Sequence, residues 1–365
     1  MLSKIQNKLS TFEYYMKASY NKYILNFKQP SGTSRGVLKT KETWFIILEH
    51  EGKQGIGECG ILRGLSADDV PNYEEQLQWT CNNIHLGLAV LYDTMKVFPS
   101  IQFGLEMAFK SLDSKTPFDL FPSEFTQNKK STPINGLIWM GTDVFMKQQI
   151  QDKIEAGFTC IKMKIGAIDF ETEIGLLKSI RKEFSANDIE LRVDANGAFS
   201  ETDALEKLKR LSDLNLHSIE QPIKAGQIEA MAKLCHETPL PIALDEELIG
   251  VFENSDKALL LEQIKPQYII LKPSFVGGWQ GSQEWMQHAE NNQIGWWITS
   301  ALESNVGLNA IAQWTYTLNN NMPQGLGTGS LFTNNFESPL TIKKGSLFYD
   351  KNKSWHFNIS SSTSN

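Results

Sequence analysis

Charged residues end several apolar runs in this chain, and their types suit proton transfer and cation binding. The runs are I-K-M-K-I-G (Ile161–Gly166), L-R-V-D-A-N-G (Leu191–Gly197), S-I-E-Q-P (Ser218–Pro222), I-A-L-D-E (Ile242–Glu246) and I-I-L-K-P (Ile269–Pro273). Burying an ion costs several kcal/mol unless it finds a partner, so charges placed this way are expected to converge on one site. Asp194, Glu220 and Asp245 close three successive runs. Three carboxylates at one point repel unless a cation sits among them, and an all-oxygen donor set favours Mg²⁺, with Mn²⁺ as a substitute, over zinc. Taken singly, each acid also reads as a strand-end cap or a salt-bridge partner.

Lys162 and Lys164 are two residues apart, so on a strand they share a face, while Ile161, Met163 and Ile165 point the other way. Two buried amines side by side are expected to have lowered pKa values, which makes one of them a base near neutral pH. The plain alternative is a pair of snorkelling lysines at a strand edge. Lys272 follows three apolar residues, where a salt bridge to Asp245 or Glu246 is compatible with catalysis. Arg192 shares the face of Asp194 and either orients the carboxylates or forms an ordinary buried ion pair. Glu247 reads as exposed.

These positions need a scaffold that brings strand ends together. From Pro133 onward strand-like and helix-like segments alternate, with strands expected at 135–140, 160–165, 190–193, 217–220, 242–245, 268–272, 296–300 and 325–327. Strands separated by amphipathic helices imply parallel pairing through crossovers. Eight of them suit a closed barrel, whose chemistry sits at the C-terminal strand ends. The string G-L-G-T-G-S (Gly325–Ser330) offers backbone N–H groups to an anion or simply makes a tight turn. Before Asp113 the pattern differs. Strands rich in aromatic and β-branched residues (15–27 and 43–49) meet at a turn in His50–Gly55, and a helical region covers 72–112. The loops Ser31–Gly36 and Gly57–Ser66 are placed to close over the barrel mouth. A strand-rich segment, 339–357, is expected to return to this first lobe.

Composition excludes several classes. A formal net charge of −7 leaves no basic footprint for nucleic acid. No apolar run approaches the roughly 18 residues of a membrane span. The start has no apolar signal core, so a cytoplasmic location is expected. The 4 cysteines are scattered and the 6 histidines form no metal-binding spacing, which favours free thiols over disulfides or zinc.

The order K-x-K, D-x-N, E-x-P, D-E, K resembles the enolase superfamily in its muconate-lactonizing-enzyme-like branch. Within that branch T-S-R-G (Thr33–Gly36), S-A-L-E-S-N-V-G-L (Ser300–Leu308) and G-L-G-T-G-S-L-F (Gly325–Phe332) are most similar to the o-succinylbenzoate synthases. Dipeptide epimerases of the branch usually carry an acidic D-x-D near the last strand, where this chain has Gly327, Thr328 and Gly329. The resemblance implies an α/β fold: a (β/α)7β TIM-like barrel over 131–335, an α+β capping domain over 1–130, and a segment 336–365 that completes the cap. It implies Mg²⁺ on Asp194, Glu220 and Asp245, Lys164 as the base, and Lys272 on the opposite face. It also implies a small carboxylate substrate held by Lys162, and Arg192, Ser34, Arg35, Ser300 and the backbone near Gly327 are further candidates for contacting it. The implied reaction is syn-dehydration of 2-succinyl-6-hydroxy-2,4-cyclohexadiene-1-carboxylate to o-succinylbenzoate in menaquinone biosynthesis, through a metal-stabilised enediolate. Epimerisation of a dipeptide or racemisation of an N-acylamino acid is the alternative, and a non-catalytic metal-binding scaffold a more distant one. Oligomeric state is not legible.

Overall fold

A computed structural model describes residues 16–33 and 36–359. The chain opens with three antiparallel strands, β1 (Lys17–Thr33), β2 (Gly36–His50) and β3 (Lys53–Gly60). Glu51 and Gly52 join β2 to β3, both with positive φ (50° and 76°), the two-residue turn whose twist matches that of a hairpin. Helices α1 (Tyr73–Asn82), α2 (Gly87–Thr94) and α3 (Pro99–Asp113) follow and pack on this sheet through Trp44, Ile46, Leu48, Leu77, Leu105 and Ala108. The helical pattern expected across 72–112 is therefore broken into shorter pieces, with Gly87 (φ 79°) at one break and Pro99 starting the last helix, where its missing N–H costs nothing.

After β4 (Thr132–Pro133) the chain builds seven parallel strands: β5 (Gly136–Ile138), β6 (Cys160–Lys164), β7 (Glu190–Asp194), β8 (Ser218–Glu220), β9 (Ile242–Leu244), β10 (Tyr268–Leu271) and β11 (Gly295–Ile298). They are hydrogen-bonded in chain order. Helices α4 (Asp143–Glu155), α5 (Phe170–Glu183), α6 (Glu201–Ser212), α7 (Ile228–Glu237), α8 (Asn254–Ile264), α9 (Pro273–Val276), α10 (Gly278–Asn291) and α11 (Asn305–Thr317) connect and cover them. Outward-facing Ile161, Met163, Leu191, Val193, Ile219, Ile242 and Leu271 join the main core with the helices' apolar faces.

Gln324 and Gly325 close the circle. Gln324 bridges Ile134 and Gly325 bridges Thr299, both in parallel, so a two-residue segment serves as the eighth strand of the expected (β/α)7β barrel. A Cβ on Gly325 would lie 2.3 Å from Thr299 Oγ1, which makes the missing side chain a condition of closure. Strands β12 (Leu340–Lys343) and β13 (Ser346–Tyr349) pair with β4 at one side of the barrel. The chain then returns to the cap, where Phe357 meets Phe45 edge-on at 5.4 Å and Trp355 stacks on Phe118 at 4.2 Å.

Candidate active site

Parallel register sets the site. Lys164 pairs with Asp194 and Asp194 with Glu220, so one row of charged side chains crosses β6, β7 and β8 at their C-terminal ends. Asp245 follows β9 directly and Lys272 follows β10. In an eight-membered ring β6 and β10 are four places apart, so Lys164 and Lys272 enter from opposite walls with the three acid-bearing strands between them. Asp245 is held by its neighbour loop: its backbone N–H donates to Gln221 Oε1 at 3.2 Å. Gln221 itself has a positive φ (39°), as does Asn196 (44°). Such strained backbone immediately after strand ends is a mark of functional positions.

Ammonium and carboxylate groups interleave. Lys162 Nζ lies 3.2 Å from Asp194 Oδ2 and also bonds Glu220 Oε2. Lys164 Nζ donates to Asp194 Oδ2 at 2.8 Å and to Asn196 Oδ1 at 2.6 Å. Lys272 Nζ pairs with Asp245 Oδ2. Asn196 donates onward to Glu246 Oε1 at 2.9 Å. Burial alone would lower the Lys162 amine, but Asp194 and Glu220 outweigh it and raise the pKa. Lys272 is likewise raised, by Asp245 and Glu220 against burial. The lowered amine pKa expected from the K-x-K spacing is therefore wrong for Lys162. That expectation weighed burial and the two like charges, and not the carboxylates of neighbouring strands that pair directly with the amine. Burial, reinforced by the charge of Asp194, pushes the Glu220 carboxyl up to about 8. Asp194 is held far below the usual carboxylate range, because Lys162 and Lys164 overcome its burial.

The acids fit a hard divalent cation by chemistry: oxygen donors only, on adjacent strand ends. Among the described residues no three acidic, histidine or cysteine side chains stand clustered in ligating geometry, and ammonium groups bind the carboxylate oxygens. Glu220 Oε1 nevertheless remains buried without a hydrogen-bond partner, the kind of orphaned acceptor that a cation would satisfy.

A cavity of about 430 Å³ opens above the strand ends. Lys162, Lys164, Asp194, Asn196 and Lys272 line its floor, with Ser300, Gly327 and Thr328 at one side. Glu220 and Asp245 are bound by Lys162 and Lys272, which line it in their place. Ser300 Oγ and Thr328 Oγ1 share a hydrogen bond of 2.6 Å. Leu38, Leu62 and Leu65 of the cap supply an apolar roof, as the Gly57–Ser66 loop was expected to do. Ser34 and Arg35 lie outside the described residues.

Arg192 is placed elsewhere. It shares the inward face of β7 with Asp194, but two residues earlier is about 6.6 Å lower in the barrel. There it pairs with Glu190 at 2.7 Å, donates to the Pro323 carbonyl at 2.9 Å and lies over the Trp297 ring at 4.3 Å. It is a buried ion pair beneath the site and does not line the cavity. Glu247, expected exposed, is buried and accepts from Gln221 Nε2 (2.9 Å) and the Gly226 N–H (2.7 Å), so it braces the loop that carries Asp245. Sequence reasoning left Asn196 without a role although it lies in the D-A-N motif, and overlooked Trp139, which lines the cavity near Lys164. A tryptophan within the expected strand 135–140 was the available signal.

Comparison with known proteins identifies relatives over most of the chain. Residues 146–351 match the family described as "Enolase C-terminal domain-like", and residues 16–112 match "MenC, N-terminal domain". The chain is 46% identical to o-succinylbenzoate synthase of Desulfotalea psychrophila over 91% of its own length and 98% of that protein's. It is 36% identical to N-succinylamino acid racemase of Thermus thermophilus over 75% of each chain. The crystal structure of MenC from Desulfotalea psychrophila superposes with a TM-score of 0.81 at 42% identity, covering 91% of this chain and 99% of that one.

Proposed function

This chain belongs to the enolase superfamily and, within it, to the o-succinylbenzoate synthases, and on that premise we propose how its residues divide the work. The enzyme is a hydro-lyase that converts 2-succinyl-6-hydroxy-2,4-cyclohexadiene-1-carboxylate to o-succinylbenzoate and water. The observation that carries the residue assignment is the opposition of Lys164 and Lys272 across three acid-bearing strands. Asp194, Glu220 and Asp245 would hold Mg²⁺, with Mn²⁺ as a substitute. When bound, the ion supplies positive charge where the substrate carboxylate gathers negative charge.

Lys162 holds the substrate carboxylate. Lys164 Nζ takes the proton from the adjacent ring carbon, and Asn196 Oδ1, at 2.6 Å, orients that amine. A carbon acid this weak yields its proton only where the resulting charge is stabilised. Lys272 meets that need from the opposite wall, its ammonium held near the ring by Asp245. The C–O bond to the β-hydroxyl then breaks, the ring becomes aromatic, and the Lys164 ammonium returns its proton to the departing hydroxide. Both transfers use one lysine on one face, hence a syn elimination. The leucines of the cap exclude water from the ring.

A second reading, racemisation of an N-acylated amino acid, is favoured by the same opposition of lysines, since proton removal from one face and return to the other needs both. Purified enzyme with Mg²⁺ is expected to consume the diene, followed by loss of its absorbance, while Lys272→Ala stops both dehydration and any racemisation. Dehydration at the wild-type rate in Lys272→Ala would remove that residue from the mechanism.

A further inference from the structure

Trp139 is the first residue past β5 and belongs to no charged motif, yet it lines the cavity beside the floor of ammonium groups. Its ring centroid lies 5.9 Å from Lys164 Nζ. A carbon that gives its proton to Lys164 from the cavity side can therefore lie against the indole. The ring also packs on a small cluster made of Leu25 and Phe27 from β1 with Leu302 and Phe332 from the barrel, so cap and barrel both brace it. Its backbone is clamped by one side chain: the Trp139 N–H donates to Gln149 Oε1 and Gln149 Nε2 donates to the Trp139 carbonyl, each at 2.9 Å. A primary amide that engages both polar groups of one residue leaves that residue little freedom at the strand end.

We infer that Trp139 is a specificity-determining wall that stacks on the six-membered ring of the ligand, and that Gln149 on α4 is the residue that positions it. The inference rests on the dehydratase reading for the identity of that ring. An offset stack on an aromatic face strengthens binding by about twofold to tenfold beyond simple burial, and an acyclic chain cannot use it. The wall thus favours ring-bearing carboxylates over flexible N-acylamino acids that carry the same succinyl group.

The test compares two probes by calorimetry on the Mg²⁺-loaded enzyme: o-succinylbenzoate, which carries the ring, and N-succinylglycine, which lacks it. Trp139→Leu is expected to weaken o-succinylbenzoate about fivefold and leave N-succinylglycine within about twofold, while Trp139→Phe keeps the wild-type preference. Gln149→Ala is expected to reproduce the selective loss in weaker form. Equal losses for both probes, or an unchanged preference in Trp139→Leu, would overturn the assignment of Trp139. A preference unchanged in Gln149→Ala would overturn the positioning role. Turnover of the cyclohexadiene by wild type tests the reaction separately, so the wall and the reaction can fail independently.

Discussion

Lys162 and Lys164 leave the same face of β6 but meet different partners, and that difference separates their roles. Lys162 is tied to Asp194 and Glu220, two groups assigned to the cation, which suits a residue that holds a carboxylate. Lys164 reaches Asp194 and the neutral Asn196 amide, which leaves it the more available amine. Lys164→Ala is expected to lower the dehydration rate by about a thousandfold or more, while Mg²⁺ still raises the unfolding temperature of the variant. Aromatic product formed at the wild-type rate would exclude Lys164 as the base. Asn196→Ala removes an acceptor that orients Lys164, and a loss of about tenfold in kcat with little change in KM is expected, read by steady-state kinetics.

At the scale of elements, the cap is fastened to the barrel by a carboxylate from β3. Glu58 accepts from Thr43 Oγ1 (3.0 Å), the Ser304 N–H (2.9 Å), Ser304 Oγ (2.6 Å) and the Gly307 N–H (2.8 Å), all at the start of α11 except the first. A negative charge at a helix N-terminus is favourable, and stripping it leaves several buried donors unmet. Glu58→Ala is expected to cost about 3 kcal/mol or more in denaturant unfolding, with Glu58→Gln between it and wild type; an unchanged midpoint would show that the two lobes dock without it. A second element-scale effect lies within the cap. Burial pushes the Asp68 carboxyl up to about 6, although Ser100 donates to it through both N–H and Oγ. Between roughly pH 4 and 6 the folded chain keeps a proton that the unfolded chain has released. This contribution to stability is thus fully present below about pH 4 and lost as pH rises through 6, at most about 3 kcal/mol. Stability curves of wild type and Asp68→Asn should diverge across that window, and parallel curves would disprove the shift.

Across the whole molecule, cation binding at the proposed site would be tied to folding. Asp194, Glu220 and Asp245 come from three strands separated by helices, so only the closed barrel assembles them. Cation that binds the folded state alone raises its stability by about 2.7 kcal/mol at a hundred times Kd. Mg²⁺ is expected to raise the wild-type unfolding temperature with concentration, with Asp245→Ala losing both that response and activity. Activity that persists in a strong chelator would count against the metal assignment. No helix among the described residues is long and apolar enough to cross a membrane, and the four cysteines are buried free thiols, as their scattered spacing suggested.

The charged strand ends, the alternation of strand and helix, and the acid and lysine order were all legible in the sequence, because period-two alternation and crossover length are local properties. The sequence by itself therefore determined which residues of the charged strands face inward, and the motif order their family. Only the tertiary structure decided their depth and company. Arg192 and Asp194 share a face but not a layer. Lys162 gains positive character because carboxylates from other strands outnumber its lysine neighbour. Glu247 is drawn inside by Gln221 and Gly226. Ring closure through Gln324 and Gly325 sets Lys164 opposite Lys272. Each of these depends on residues far apart in the chain, and a periodic pattern carries no record of which distant side chain will occupy the neighbouring space.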